Sequence, residues 1–498
     1  MELIFQETPI QYLKQIVNET VHLEQTADIV VSDSMPDIDR VVDAFGTAMI
    51  RTAQCSTSGI GVEGIVQAGV LFVGENGKVQ PIAAQIPFSV RKDVSQQGTL
   101  QCKCTLRSVD ARALNSRKLL VRVGISCELK VYAQAEHICY DIAEPAPNLQ
   151  LKRMELPLNM PLAVGEKSFV LNEELELPAD QPAVERLLKC VYRTQLAEQK
   201  VVGDKAVFKG ALHLHVLYED ENERLVSSQW DVPFSQYAQL GQEQEEAELS
   251  THLSLAGAEI ETDMQNQSRR LLVSVNLMAH CTAFGQKKLT VIEDAFCTDA
   301  ELTPEVTPCR MEGILDRQVL RENLTASSDT PAKSVVDACM YFEEMQLQRM
   351  DDKLHLELPV NCNVLYYDEQ GLLQGKTLRS GVASQIALAE NGGCRIVQIE
   401  GGEIFCAAGS SGLELRAPMA LTVECSAEHS LNMLCGGEIG ELAKDDGRRP
   451  SVILRRTDNE EELWQIAKTY RTSVQTIMEA NELQEAQIAA GAMLLIPM

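Results

Sequence analysis

No stretch of this 498-residue chain approaches the roughly 18 consecutive apolar residues that a membrane-spanning helix needs. Its opening, MELIFQETPIQYLKQIVNE, lacks a basic stretch followed by an apolar one, so no secretory leader is predicted. Basic residues are in deficit: 44 Lys and Arg face 72 Asp and Glu, a net charge of −28. Such a surface repels phosphate backbones and anionic headgroups, which argues against nucleic acid or direct membrane binding. The signatures of chemistry are missing as well. There is no GxSxG, no Gly-rich loop ending in Gly-Lys-Ser/Thr, no HExxH and no CxxC. The expectation is a protein that is not an enzyme and holds no cofactor and no metal.

What is present fits ordinary globular composition, with 45% hydrophobic and 23% charged residues. A chain this long predicts three to four domains. The 15 cysteines are odd in number and irregular in spacing, and many fall at strand-like apolar positions such as Cys127, Cys281, Cys362 and Cys425. They read as free buried thiols of a reducing compartment, and the expected location is the cytoplasm. Cys102 and Cys104 form only half of a zinc ligand set. His213 and His215 share one face of the alternating strand ALHLHVLY and read as a solvent-facing pair. The acidic run at 242–248 reads as a solvated loop or helix face.

The chain repeats with a period near 147 residues. Pro36-Asp-Ile-Asp-Arg-Val-Val-Asp-Ala44 recurs as Pro182-Ala-Val-Glu-Arg-Leu-Leu-Lys-Cys190, and, one residue shorter, as Pro331-Ala-Lys-Ser-Val-Val-Asp-Ala338. Gly64 followed by Pro87-Phe88-Ser89 matches Gly210 followed by Pro233-Phe234-Ser235. Within those runs Leu71, Leu217 and Leu365 correspond. Each copy predicts a short helix or turn at the Pro, then strands with a central hairpin closed by Gly74–Gly77, 219–222 or 368–371. The expected fold is mainly β: three tandem β-sandwich-like repeat domains with short helices at 1–160, 161–312 and 313–435, the first with an N-terminal lead-in helix. A Gly-rich, charged linker at 436–450 would then tether a last module at 451–498 that is free to find a partner.

That module reads as β-α-α-β. Residues 452–456 predict a strand, and 460–471 an amphipathic helix with Leu463, Ile466, Ala467 and Tyr470 on one face. Glu460, Glu461 and Glu462 suit its first turn. Thr472 or Ser473 caps a second helix over 474–480, Asn481 ends it in a left-handed conformation, and 491–497 form a closing strand. This order resembles a LysM domain, with Leu463, Trp464, Ile466, Ala467, Tyr470, Val474, Ile477, Asn481, Leu483, Ile488, Gly491 and Leu495-Ile496-Pro497 at the matching positions. The resemblance implies a groove beside the loops before the first helix and the last strand, which binds N-acetylglucosamine glycans in that family. Its candidate partner- or glycan-binding residues are Glu460, Glu461, Glu462, Trp464, Tyr470, Asn481, Leu483 and Ile488. Here three glutamates replace the usual Gly-Asp-Thr or Gly-Asp-Ser, and Ala490 replaces a Pro, which shifts the expectation from a neutral sugar to a protein.

The three upstream copies resemble the SPOCS domain family of sporulation and spore coat proteins, on the Pro36–Ala44 stretch and the hairpin ending in Pro-Phe-Ser. Together the resemblances imply a scaffold or adaptor in spore coat or envelope assembly, in the mother-cell cytoplasm at the forespore surface. Its LysM module would dock a protein partner such as a coat ATPase resembling SpoIVA. The alternative is a peptidoglycan-binding protein of the cell envelope.

Overall fold

The computed structural model describes residues 3–142, 148–243, 246–264, 268–388, 392–442, 451–457, 461–486, 488 and 491–498. The chain up to Leu442 is all strand and turn among these, and it forms three units of the same design. In the first, β1 (Phe5–Val30) and β5 (Thr99–Asn115) flank β6 (Lys118–Ile142) in one sheet. A second sheet has β3 (Gly59–Gly74) between β2 (Ile38–Ser56) and β4 (Val79–Lys92). The second unit repeats this. One sheet is β7 (Leu149–Glu176), β12 (Arg270–Cys297) and β11 (Glu248–Thr262), the other β8 (Arg186–Val202), β9 (Lys205–Glu219) and β10 (Leu225–Gln239). The third places β13 (Ala300–Ser328) against β20 (Gly412–Leu442), with β18 (Gly392–Gly401) and β19 (Phe405–Gly409) on its far edge. Its second sheet joins β14 (Ser334–Phe342), β15 (Gln346–Met350), β16 (Lys353–Tyr367) and β17 (Leu373–Ala387). In each unit an apolar core lies between the two antiparallel sheets, so each is a β-sandwich.

The predicted hairpins are present, and their turns are built alike. Asp220 Oδ1 accepts from the backbone N–H of Asn222 and Arg224, and Asp368 Oδ1 from Gln370 and Leu372. The Gly–Phe match between the first two copies also has a physical cause. Gly64 pairs with Phe88 and Gly210 with Phe234 across the hairpin, and a Cβ on Gly210 would lie 2.8 Å from the Phe234 ring and 2.1 Å from the Gln195 carbonyl. The third unit has Leu358 opposite Val382 there, two medium side chains in place of one absent and one large. Gly210→Ala is therefore expected to destabilise the protein by about 3 kcal/mol in urea unfolding, the upper end of the range for overpacking. Adding Phe234→Ala should restore none of the loss, because the carbonyl clash stays and a buried ring is lost as well.

One expectation is corrected. The predicted lead-in helix is strand β1, in which Val21, Leu23, Ala27 and Ile29 alternate inward with exposed polar residues, a period of two. Of the helix or turn expected at the Pro stretches, the turn is what forms: turns at Ser32–Met35 and Pro178–Gln181 lead into β2 and β8, and β14 begins just after Pro331. The strands that open units two and three start at Leu149 and Ala300, ahead of 161 and 313, and β20 runs to Leu442, beyond 435. Pro157, Pro161, Pro304 and Pro308 do not break β7 and β13, because both are edge strands whose outer N–H groups need no partner.

The long strands of β1/β6, β7/β12 and β13/β20 run on past their sandwiches as three two-stranded ribbons. The ribbons pack on one another around Leu156, Leu158, Leu289, Val291, Met311 and Met433, forming a common stem. The sandwiches also meet each other. Val42, Leu188 and Val336, with Leu71, Leu217 and Leu365, come together from all three units in one apolar cluster. These are the repeat-equivalent residues. In every unit a register shift falls between residues 41 and 43, 187 and 189, or 335 and 337, and the residue after the shift pairs with the recurring leucine. A bulge turns two successive side chains the same way, so each unit presents an apolar residue and the one after it to the junction. Those following residues are Asp43, Lys189 and Asp337. Lys189 donates to Asp43 at 2.7 Å and lies 2.7 Å from Asp337, and all three are buried, at 7%, 2% and 3% exposure.

Candidate functional site

Residues 451–498 fold as the expected module: β21 (Val452–Arg456) pairs antiparallel with β22 (Met493–Pro497), and α1 (Leu463–Tyr470) and α2 (Val474–Ala480) pack over them. Leu463, Ile466, Ala467, Ile477, Leu494 and Ile496 form its core. Ser473 caps α2, accepting from Thr476 N–H at 2.9 Å. Helix α1 starts later than the pattern predicts. Glu462 is its extended N-cap residue, so the glutamates precede the helix and no acidic side chain lies in its first turn; the Glu462 carboxylate accepts from Lys152. Asn481 does not take the left-handed conformation; Glu482, at φ 54°, does. The Asn481 amide instead donates to the carbonyls of Ile477 and Leu495 and accepts from Leu495 N–H, each at 2.7 Å. It staples the second helix to the closing strand, which is a structural duty.

The module does not stand apart from the body. It is seated on the stem ribbon of the second unit. A bulge between Ile292 and Asp294 re-aims β12 at this point. Asp294 accepts from the Trp464 indole N–H at 2.8 Å, and Lys468 donates to both of its carboxylate oxygens at 2.7 Å. The rings of Phe296 and Trp464 meet edge to face, with centroids 4.9 Å apart. Lys152 on β7 donates to Glu462 at 2.8 Å and lies 3.3 Å from Glu293, and these carboxylates hold its ammonium above the usual lysine range. Trp464, predicted to face a partner, is only 9% exposed because its own chain covers it.

Between the module and β7 runs an open cleft of about 1370 Å³. Glu461, Glu462, Trp464, Leu483 and Ile488 come together along it, facing Gln150–Arg153 across the gap. Glu479 and Glu482 add two further carboxylates to its rim, and Val474 and Met478 its apolar floor. Glu461 also pairs with Arg455, whose guanidinium lies over the Tyr470 ring at 5.6 Å. Tyr470 and Asn481 do not line the cleft, and Glu460 lies outside the described residues. Sequence reasoning missed Asp294, Phe296 and Lys152; a strand residue gives no local signal that it receives a module more than 150 positions away.

The other singled-out residues have partners of their own. His213 bonds Asp231 and Gln195, and His215 bonds Ser227 and reaches inward to Asp337 at 2.8 Å. All 15 cysteines are free, with Cys104 and Cys127 facing each other across paired strands at 3.0 Å. No group of three His, Cys, Asp or Glu among the described residues is placed to hold a metal. No helix among them is long and apolar enough to cross a membrane.

A mainly β body of small antiparallel sheets thus carries a C-terminal βααβ binding module. Residues 459–497 match the model of the LysM domain, and residues 183–262 match that of the SipL, SPOCS domain. The chain therefore contains a SPOCS domain of the SipL type followed by a LysM domain, both non-catalytic modules, in the order of a SipL-like plan. The SPOCS match marks the second unit alone, from β8 to β11. The first and third units share its strand order without a match of their own. No curated protein and no solved structure matched the chain.

Proposed function

We propose that this protein is a non-enzymatic assembly factor of the spore coat or envelope that holds a protein partner in the cleft between its LysM module and the stem. The supporting observation is the cleft's make-up: an apolar floor of Trp464, Val474 and Met478 below a rim carrying Glu461, Glu462, Glu479 and Glu482. Glu461 and Glu462 are engaged by Arg455 and Lys152, but a neutral glycan has no use for the exposed carboxylates of Glu479 and Glu482, whereas a basic, amphipathic protein segment matches both floor and rim. A coat ATPase resembling SpoIVA, at the forespore surface in the mother-cell cytoplasm, is the partner that the SPOCS and LysM pairing suggests.

The test is capture of that ATPase by the full chain. Glu479→Lys with Glu482→Lys reverses charge at two exposed rim positions and should weaken retention about tenfold or more, with the thermal midpoint unchanged. Equal retention by the variant would refute the cleft as the docking site. Saturable binding of chitin oligomers by the wild type, without retention of the ATPase, would establish the envelope glycan reading instead.

A further inference from the structure

The three sandwiches enclose a second cavity where they face one another beyond the Asp43–Lys189–Asp337 junction. It measures about 270 Å³ and draws its walls from β2 and β5, β8 and β11, and β14 and β18, so all three units build it. That is just under the range of about 300–1,000 Å³ typical of small-molecule sites, which limits an occupant to a small one. Leu106, Leu255, Met340 and Phe342 supply an apolar side, and Lys103, Tyr192 and His252 a polar one. Lys103 and His252 continue into a narrow crevice with Lys130, His280 and Glu128.

The charge balance there is opposite to that of the molecule. The chain as a whole carries −28. Around the crevice, Lys103, Lys130, Arg317 and Arg395 gather with three carboxylates near them: Glu128, the cross-strand partner of Lys103, Glu424, and Glu400 on the side of Lys103. Both arginines are already engaged on Glu424, which is 1% exposed. Neither lysine has a carboxylate oxygen within the 4.0 Å of an ion pair among the described residues; the Lys130 ammonium has only the His252 ring nitrogen, at 3.5 Å. On the facing wall Glu400 is occupied by Gln398 at 2.6 Å, and Arg193 by the carbonyls of Gly401 and Gly402. Two half-buried ammonium groups with no ion pair of their own, beside an apolar hollow and within a local excess of positive charge, leave room for an anion in a protein that is otherwise strongly acidic.

We propose that this interunit cavity binds a small amphipathic anion, a carboxylate or phosphate monoester on a short apolar body, with Lys103, Lys130 and His252 around its head and Leu106, Leu255, Met340 and Phe342 around its tail. The electrostatics agree. Burial first, opposed by Glu128 and reinforced by Arg395 and Lys103, pushes Lys130 down to about 8, and burial with the neighbouring lysines keeps His252 neutral, well below its ordinary value. An arriving anion reverses part of this, so binding near pH 8 takes up a proton.

The probe is 8-anilinonaphthalene-1-sulfonate, an amphipathic anion, titrated into the full chain by fluorescence. One saturable site per chain is expected, displaced by hexanoate or by hexyl phosphate according to which head group fits, and poorly displaced by inorganic phosphate. Lys103→Gln with Lys130→Gln should weaken probe binding at least tenfold. Leu255→Trp, which fills the apolar side and leaves both lysines in place, should do the same. Unsaturable binding, unchanged affinity in both variants, or displacement by inorganic phosphate as good as by hexyl phosphate would each overturn the proposal.

Discussion

Lys189→Met is expected to lower the stability of the body by about 3–5 kcal/mol in urea unfolding, the range for breaking a buried ion pair by removing one partner. Lys189 lies between two aspartates, and its ammonium also lies over the Phe45 ring, 5.2 Å from its centroid. Burial alone would lower its pKa, but Asp337 and Asp43 overcome that and hold it well above the ordinary lysine value. Burial would likewise raise Asp337; Lys189 and His215 win, and it stays below the ordinary aspartate range. Asp43 goes the other way, kept raised by burial and by Asp337, against the pull of Lys189. Methionine fills the lysine's volume and leaves two carboxylates buried with no ammonium between them. The triple change Asp43→Leu, Lys189→Met, Asp337→Leu should recover most of the loss, since an apolar replacement of a buried ionic group is often neutral or better. A triple variant as unstable as the single one would show that lost packing, not uncompensated charge, is the cause.

The pH dependence separates the same two causes. In the wild type, the raised Lys189 contributes stability that is fully present below the unfolded lysine value of about 10.4 and is lost as pH rises through its folded value. The depressed Asp337 contributes stability that is present above the unfolded aspartate value of about 3.9 and is lost as pH falls through its folded value. The raised Asp43 opposes this with a gain on acidification. In Lys189→Met both carboxylates lie above their unfolded value, so the folded state binds the extra proton. The variant should gain more stability than the wild type between pH 7 and about 4, because both of its carboxylates then take up protons on folding, whereas in the wild type only Asp43 does. Parallel curves would remove the triad from the explanation.

The repeat was legible because each unit solves the same packing problem with the same residues. Gly64 and Gly210 recur since a phenylalanine ring occupies the space of their missing side chains, and Leu71, Leu217 and Leu365 recur since they meet at one junction. The motif that carried the resemblance has Asp43, Lys189 and Asp337 as its penultimate residue, and it varies there for a reason invisible in any one copy. Three identical charges could not share the junction, and an Asp–Lys–Asp set can. The bulge that aims those residues leaves no local mark, and neither do the ribbons, whose prolines resemble breaks and are tolerated at an edge. The helices and strands of the last module were legible because amphipathic spacing is local. Its seat was not. Trp464 reads as an exposed anchor until the position of Phe296 and Asp294 is known, and those residues look like any others on a strand.

Asp294→Ala is expected to unseat the LysM module. The carboxylate accepts from both Trp464 and Lys468, and charge-assisted bonds of this kind contribute about 1.5–3 kcal/mol each before solvent screening, which is appreciable here because Lys468 is partly exposed. A net loss of about 2 kcal/mol would raise the unseated population some thirtyfold. The chain has two tryptophans, so a Trp230→Phe background makes Trp464 the sole reporter. Its emission should shift to the red in Asp294→Ala, and the amides of α1 should exchange faster, while those of β3 and β9 in the body remain protected. Unchanged emission and exchange would mean that Phe296 and Lys152 hold the seat without Asp294. The functional consequence follows from the cleft having two walls. If the partner is gripped between β7 and the LysM loops, unseating forfeits the preorganisation of those walls, and retention of the ATPase should fall about tenfold. A seat that merely covered Trp464 would give the opposite sign, tighter capture on release. The direction of that one change therefore tells a composite docking site from a masked one.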